Sequence, residues 1–210
     1  MFPDKVILAS NSPRRLELLG AAFNNVEKIN SKAEEPTWHK GESARDYLKR
    51  CVEVKAQGAR DAFEEQIKSS TYASGWNLLV VADTIVVLGE RLFGKPESPQ
   101  GAFDMLSTLM GKTHEVQTAF ALDLYRSEKR VDSFNEILIT RVTFAKPTPQ
   151  ELWNYVKTGE PMDKSGSYGV QGPALQFVKK IEGSYLSVMG LPIARISEQL
   201  KSWQKKHLKS

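Results

Sequence analysis

The chain has 210 residues, 40% hydrophobic and 26% charged, the balance of an ordinary folded protein long enough for a sizeable core. Its formal net charge of +4 resides in the last ten residues, where Lys201, Lys205, Lys206 and Lys209 stand without an acid, so the body of the chain is neutral and no nucleic-acid partner is expected. The single cysteine, Cys51, excludes an internal disulfide; His39, His114 and His207 are scattered singly, against a zinc cluster; and no apolar run approaches the ~20 residues of a membrane span.

The charged start up to Lys5, followed by only a short apolar run, does not read as a signal peptide. Val6 to Ala9 is a short buried strand that breaks at Ser10-Asn11-Ser12-Pro13. A helix carrying Leu16, Leu18 and Leu19 follows to a stop at Gly20, with Pro13 suited to its first position. Ser43 caps a longer helix in which Ala44, Tyr47, Leu48, Cys51, Ala59 and Phe63 recur at helical spacing. Lys68 to Asn77 is polar and reads as a loop. Leu78 to Leu88 is β-prone, interrupted at Asp83-Thr84. After a turn-rich patch, Pro99 opens a helix to about Met110. Val116 to Leu124 and Leu138 to Phe144 alternate as two strands of a long hairpin around the charged Arg126–Arg130 turn. Pro149 to Lys157 is helical, Gly159 to Gly172 is a glycine-rich loop, and two short strands, near Phe177–Ile181 and Tyr185–Val188, precede a last helix from about Pro192 to Lys205. Interleaved strands and helices without repeats or flexible linkers predict one α/β domain over residues 1–200 with a mixed sheet, followed by a solvated basic tail over 201–210.

Several segments carry possible chemistry. Gly89 to Lys95 fits the start of a P-loop, but Pro96 stands where a magnesium-binding hydroxyl belongs; Gly111-Lys112-Thr113 lacks the leading glycine, with Leu106 in its place. Lys95 therefore reads either as a ligand contact or as a solvated turn lysine. Ser10-Asn11-Ser12-Pro13-Arg14-Arg15 places hydroxyls and two guanidinium groups at a strand-to-helix junction, suited to an anion but equally to a capped helix with solvated arginines. Asp83, inside an apolar β run, needs a cation, hydrogen bonds or a metal, unless it sits in a bulge or turn. Glu34-Glu35 offers a second acid or plain surface charge. Lys55, four residues from both Cys51 and Ala59, lies on a buried helix face, where it either snorkels or points into a polar cleft. The glycines of Gly166 to Gly172 permit close backbone approach to a ligand, or serve tight turns. His114 and Cys51 read as structural.

Taken together, these segments resemble the Maf-like (septum-formation) family of nucleoside triphosphate pyrophosphatases. The resemblance lies in Leu8 to Arg15, Ala82-Asp83-Thr84, Gly94-Lys95-Pro96, Met105 to His114, Tyr155 to Gly172 and Ser184 to Pro192, in the family's order. It implies an inosine-triphosphatase-like mixed α/β fold with two lobes around a nucleotide cleft, a homodimer, a cytoplasmic setting, and a divalent cation, Mg²⁺ or Mn²⁺, as cofactor. The family's acidic catalytic residue falls on Asp83, with Glu35 as the second metal ligand. Ser10, Arg15 and Lys55 are its other polar site positions, and Arg14, Thr84, Lys95 and Gln171 are tied to base preference. Arg14, Lys95 and Gln171 resemble the branch acting on dTTP and UTP. The alternatives are the 7-methyl-GTP branch, another noncanonical-nucleotide pyrophosphatase, or a nucleotide-binding regulator of cell division without turnover. The chain departs from the pattern at Val81, at Pro173 and Ala174, in the longer Lys68–Asn77 loop and in the basic tail.

Overall fold

The computed structural model describes residues 2–31, 33–39, 41–67 and 75–208. Of the expected loop from Lys68 to Asn77, positions 68–74 lie outside these, and Trp76 and Asn77 already belong to a strand. Among the described residues, seven strands form one mixed sheet: β1 (Lys5–Leu8), β2 (Val26–Lys28), β3 (Trp76–Leu88), β4 (Arg91–Phe93), β5 (Thr113–Arg126), β6 (Lys129–Phe144) and β7 (Val178–Glu182). The order is β2-β1-β3-β5-β6-β7, with β4 paired to β3. β1 is parallel to both β2 and β3, and the remaining pairings are antiparallel. The described residues also form six α-helices: α1 (Pro13–Ala22), α2 (Ala44–Ile67), α3 (Pro99–Leu109), α4 (Pro149–Val156), α5 (Tyr185–Val188) and α6 (Ile193–His207). The expected α/β architecture, a central sheet with flanking helices, is what the chain adopts.

The alternation of β3 decides what covers each face. Leu79, Val81 and Ile85 pack with Leu48, Val52, Ala56 and Phe63 of α2. Leu78, Val80 and Ala82 face the other way, onto Leu19 of α1 and Ile196, Leu200 and Trp203 of α6. A third cluster joins Phe93, Leu106, Leu152, Tyr155 and Phe177 beyond the far end of β3. Helix starts follow their caps: Ser98 accepts from the Gly101 N–H, and Thr148 and Glu151 form a capping box ahead of α4.

Four expectations change. Asp83-Thr84 does not interrupt β3, because both residues pair in register with Ala119 and Thr118 of β5. On its other side β3 pairs with β1 over Asn77–Val80 and with β4 over Val86–Leu88, so among the described residues Val81–Ile85 is laddered on one edge alone. Tyr185–Val188 is a helical turn rather than a strand, started by Ser184, whose hydroxyl accepts from the Ser187 N–H. The turn-rich patch contains β4, and β2 adds an edge strand. Finally, α6 continues through His207. Trp203 is buried against Leu200 and Ile196, and Lys206 and His207 both reach Asp132 Oδ2, at 2.7 and 3.0 Å. The basic end is thus packed onto the body of the protein. Trp203→Ala is expected to lower unfolding free energy by about 3–5 kcal/mol, the range for removing a buried aromatic, read as a fall in the urea midpoint.

His114 is structural, as its isolation in the sequence suggested. Its ring is buried between Phe144 and Tyr168, with Nε2 2.7 Å from the Tyr168 hydroxyl. Burial lowers its pKa from 6.5 to about 4. Between those values the unfolded chain takes up a proton that the folded one resists, so stability present above about pH 6.5 is lost as pH falls toward 4. The loss amounts to about 3 kcal/mol. Replacing His114 by Gln should flatten the difference in urea midpoint between about pH 7 and about pH 4.5.

Candidate active site

The free edge of β3 opens into a cleft of about 750 Å³. One wall comes from the β1–α1 junction and α2, the other from the turn at Lys95, the glycine-rich loop and the segment after α5. Asp83 and Thr84, consecutive on β3, point to opposite faces and found two polar groups.

On the α2 face, Lys55 Nζ donates to Asp83 Oδ2 at 2.7 Å and lies 3.6 Å from Glu35 Oε1. Asp83 Oδ1 accepts from the Thr84 N–H at 2.9 Å. The Asp83 carboxylate is therefore paired and hydrogen-bonded in an otherwise apolar strand, which settles how it is tolerated there. Lys55 does not snorkel outward; the helix face carrying Cys51 and Ala59 aims it at the cleft. Glu35 lines the cleft with its side chain 61% exposed, and Glu34, also exposed, lies outside the lining. Cys51 is buried, with its sulfur and the carboxylate oxygens of Glu35 and Asp83 all within 4.8 Å of one another. Burial pushes the Cys51 thiol pKa up, so the donors offered to a cation are oxygens. The helical spacing of Cys51 and Lys55 already placed them on one face, and that signal could have drawn Cys51 into the site.

On the other face, Arg15 is gripped on three sides. Its Nε donates to the Gly190 carbonyl at 2.9 Å, Nη1 to Ser10 Oγ at 3.1 Å and Nη2 to Thr84 Oγ1 at 3.3 Å. Burial lowers the guanidinium pKa, and Asp83 opposes that shift. Ser10 Oγ also accepts from the Ser12 N–H at 3.2 Å, and Ser12, at the N-cap of α1, makes no side-chain cap of its own. The first turn of α1 thus faces the cleft with N–H groups available to an anion.

The opposite wall holds Lys95 and Gln171, both exposed to the cleft. Arg14 Nη1 stands 3.8 Å from Asp163 Oδ2. All nine residues singled out in the sequence, Ser10, Arg14, Arg15, Glu35, Lys55, Asp83, Thr84, Lys95 and Gln171, line this one cavity.

Sequence reasoning missed Lys164 and Thr118. Lys164 is 8% exposed and lines the cleft, its Nζ donating to the Glu160 carbonyl and to Asp163 Oδ1, each at 2.7 Å. The loop glycines serve this packing. A Cβ at Gly169 would meet Lys164 Cε at 2.7 Å, and one at Gly172 would collide with the Glu160 carboxylate. Thr118, fully buried on β5, lies opposite Thr84 in the ladder, with the two hydroxyl oxygens 3.0 Å apart.

Comparison with known proteins finds relatives over almost the whole chain. The dTTP/UTP pyrophosphatase of Colwellia psychrerythraea is 40% identical over 196 residues, covering 93% of this chain and 87% of that protein. The dTTP/UTP pyrophosphatase of Bacillus cytotoxicus is 42% identical over 199 residues, 95% of each chain. The solved structure of the Staphylococcus aureus Ham1 protein is a distant likeness, 12% identical with a TM-score of 0.44 over 95% of this chain and 99% of that one. A family model described as Maf-like protein matches residues 5–203. With that match across almost its whole length, the chain belongs to the Maf-like protein family.

Proposed function

We propose that this chain is a nucleoside triphosphate pyrophosphatase that hydrolyses dTTP and UTP to the nucleoside monophosphate and pyrophosphate. The observation that carries the reading is the meeting, in one cleft, of the Lys55–Asp83–Glu35 cluster with the Ser10–Arg15 anion site at the start of α1. The names of the relatives support the same substrate class.

In this reading the triphosphate lies across the first turn of α1. Arg15 is fixed by Gly190, Ser10 and Thr84, and its remaining N–H donors serve phosphate oxygens without reorganising. Asp83 orients and deprotonates the water that attacks the α-phosphorus. Lys55 holds Asp83 in place and offsets negative charge developing on the phosphoryl oxygens. A divalent cation, if bound here, would supply Lewis-acid polarisation of the phosphate. Glu35 and Asp83 would hold it, since two carboxylates with a neutral thiol behind them suit Mg²⁺ or Mn²⁺. Arg14, which reaches toward Asp163 from α1, and Lys95 and Gln171 on the opposite wall read the base. The same reading places the protein in the cytoplasm as a homodimer, the latter to be checked by sedimentation.

A substrate panel with magnesium, scored for pyrophosphate, tests the proposal. UTP and dTTP should be turned over far faster than 7-methyl-GTP or ITP. The reverse order would move the chain to the 7-methyl-GTP branch, and binding without multiple turnover would make it a nucleotide sensor.

A further inference from the structure

Of the three groups that hold Arg15, two trace back to one hydroxyl that never reaches the cleft. Thr118 is fully buried on β5. Its Oγ1 lies 2.8 Å from the Ser187 carbonyl, and a carbonyl can only accept, so the Thr118 proton is committed there. The same carbonyl accepts from the Gly190 N–H at 2.9 Å, and the Gly190 carbonyl in turn accepts from Arg15 Nε at 2.9 Å. On its other side Thr118 accepts from Thr84, whose oxygen is 3.0 Å away. That turns the Thr84 lone pairs toward Arg15 Nη2, at 3.3 Å. Gly190, at a φ of +109°, gives the backbone its close approach, since a Cβ there would stand 3.3 Å from Arg15 Nε.

From this we infer that Thr118 is a positioning residue for polyphosphate binding: its hydroxyl fixes both the Nε and the Nη2 sides of the Arg15 fork, so that the remaining N–H donors are aimed before a ligand arrives. This rests on the reading that Arg15 meets phosphates. The third hold, Nη1 on Ser10 Oγ, does not pass through Thr118. Without the Thr118 hydroxyl the guanidinium would be firmly held at Ser10 alone, and the ligand would have to order it on binding. The device is built into the sheet, because Thr118 and Thr84 are direct ladder partners and α5 brings the Ser187 carbonyl onto the same face.

The test is a double-mutant cycle on calorimetric binding of inorganic tripolyphosphate, a ligand with no base. Thr118→Val keeps the side-chain shape and should weaken binding by on the order of tenfold, the scale of one hydrogen-bonding group lost. Thr118→Ser should bind within about twofold of wild type. In an Arg15→Lys background, where the fork is already gone, Thr118→Val should cost less than about twofold. A merely structural Thr118 would lower the melting temperature and leave this coupling at zero. No binding by wild type, equal binding by wild type and a folded Thr118→Val protein, or the same tenfold loss in both backgrounds overturns the inference. If Thr118→Val does not fold, proton NMR of the wild type decides. A Thr118 hydroxyl proton that exchanges slowly both with and without tripolyphosphate supports the assignment, and one that exchanges freely in either state overturns it. Coupled binding as expected, without pyrophosphate release from UTP, would instead sink the catalytic reading and leave the positioning role standing.

Discussion

Replacing Asp83 by Asn should leave a folded protein whose turnover of UTP is reduced by on the order of 10²–10⁴, the usual scale for losing a general base. The shape of the side chain is preserved, but its chemistry is not. In the native cleft one Asp83 oxygen accepts from Lys55 and the other from the Thr84 N–H. An amide must turn its NH₂ toward one of these donors, so Lys55 loses its partner or shifts toward Glu35, already 3.6 Å away. The variant thus loses the proton acceptor and displaces the nearest cation together, while the apolar contacts of β3 on either side are untouched. Steady-state kinetics beside a thermal melt check this. Near-normal kcat in a folded sample would remove Asp83 from the reaction.

The second large effect is expected at Arg15. Arg15→Lys keeps a positive charge yet cannot reproduce a planar fork that reaches Gly190, Ser10 and Thr84 at once. A lysine ammonium on a flexible stem can satisfy some of these partners only by abandoning the direction in which phosphate would be met. We expect kcat/KM for UTP to fall by on the order of 10²–10³, about 3–4 kcal/mol, comparable to losing a preorganised donor to a developing oxyanion. Because Arg15 is argued to serve the phosphates, dTTP and UTP should suffer alike. A loss confined to one nucleotide would assign Arg15 to base reading instead.

Much of the site was legible because its chemistry violates local pattern. Asp83 stands out as a carboxylate in an apolar strand, Lys55 as a cation on the buried face of a helix, and Ser10 to Arg15 as a polar junction between two apolar runs. Alternation gave the β5–β6 hairpin, and proline and serine marked the helix starts. What escaped has physical causes. β2 and β4 have three residues each, too few to display a period, and the single turn of α5 is set by Ser184 as a cap rather than by any apolar repeat. The pairing of Thr118 with Thr84 comes from a ladder register between distant segments, and no local signal encodes that. Lys164 carries no local signal, because the carbonyl that holds it is brought there by the fold of the loop. Trp203 was read with its lysine neighbours as a tail, although its spacing from Ile196 and Leu200 continues the buried stripe of α6.

The position of bond cleavage is what separates this account from other uses of the same cleft. Hydrolysis of UTP in ¹⁸O-labelled water, followed by mass analysis of both products, reads it directly. Attack at the α-phosphorus, with Asp83 beside the water and Arg15 on the phosphates, predicts that the label enters uridine monophosphate and that pyrophosphate is unlabelled. Label in pyrophosphate, or release of orthophosphate in its place, would contradict the account.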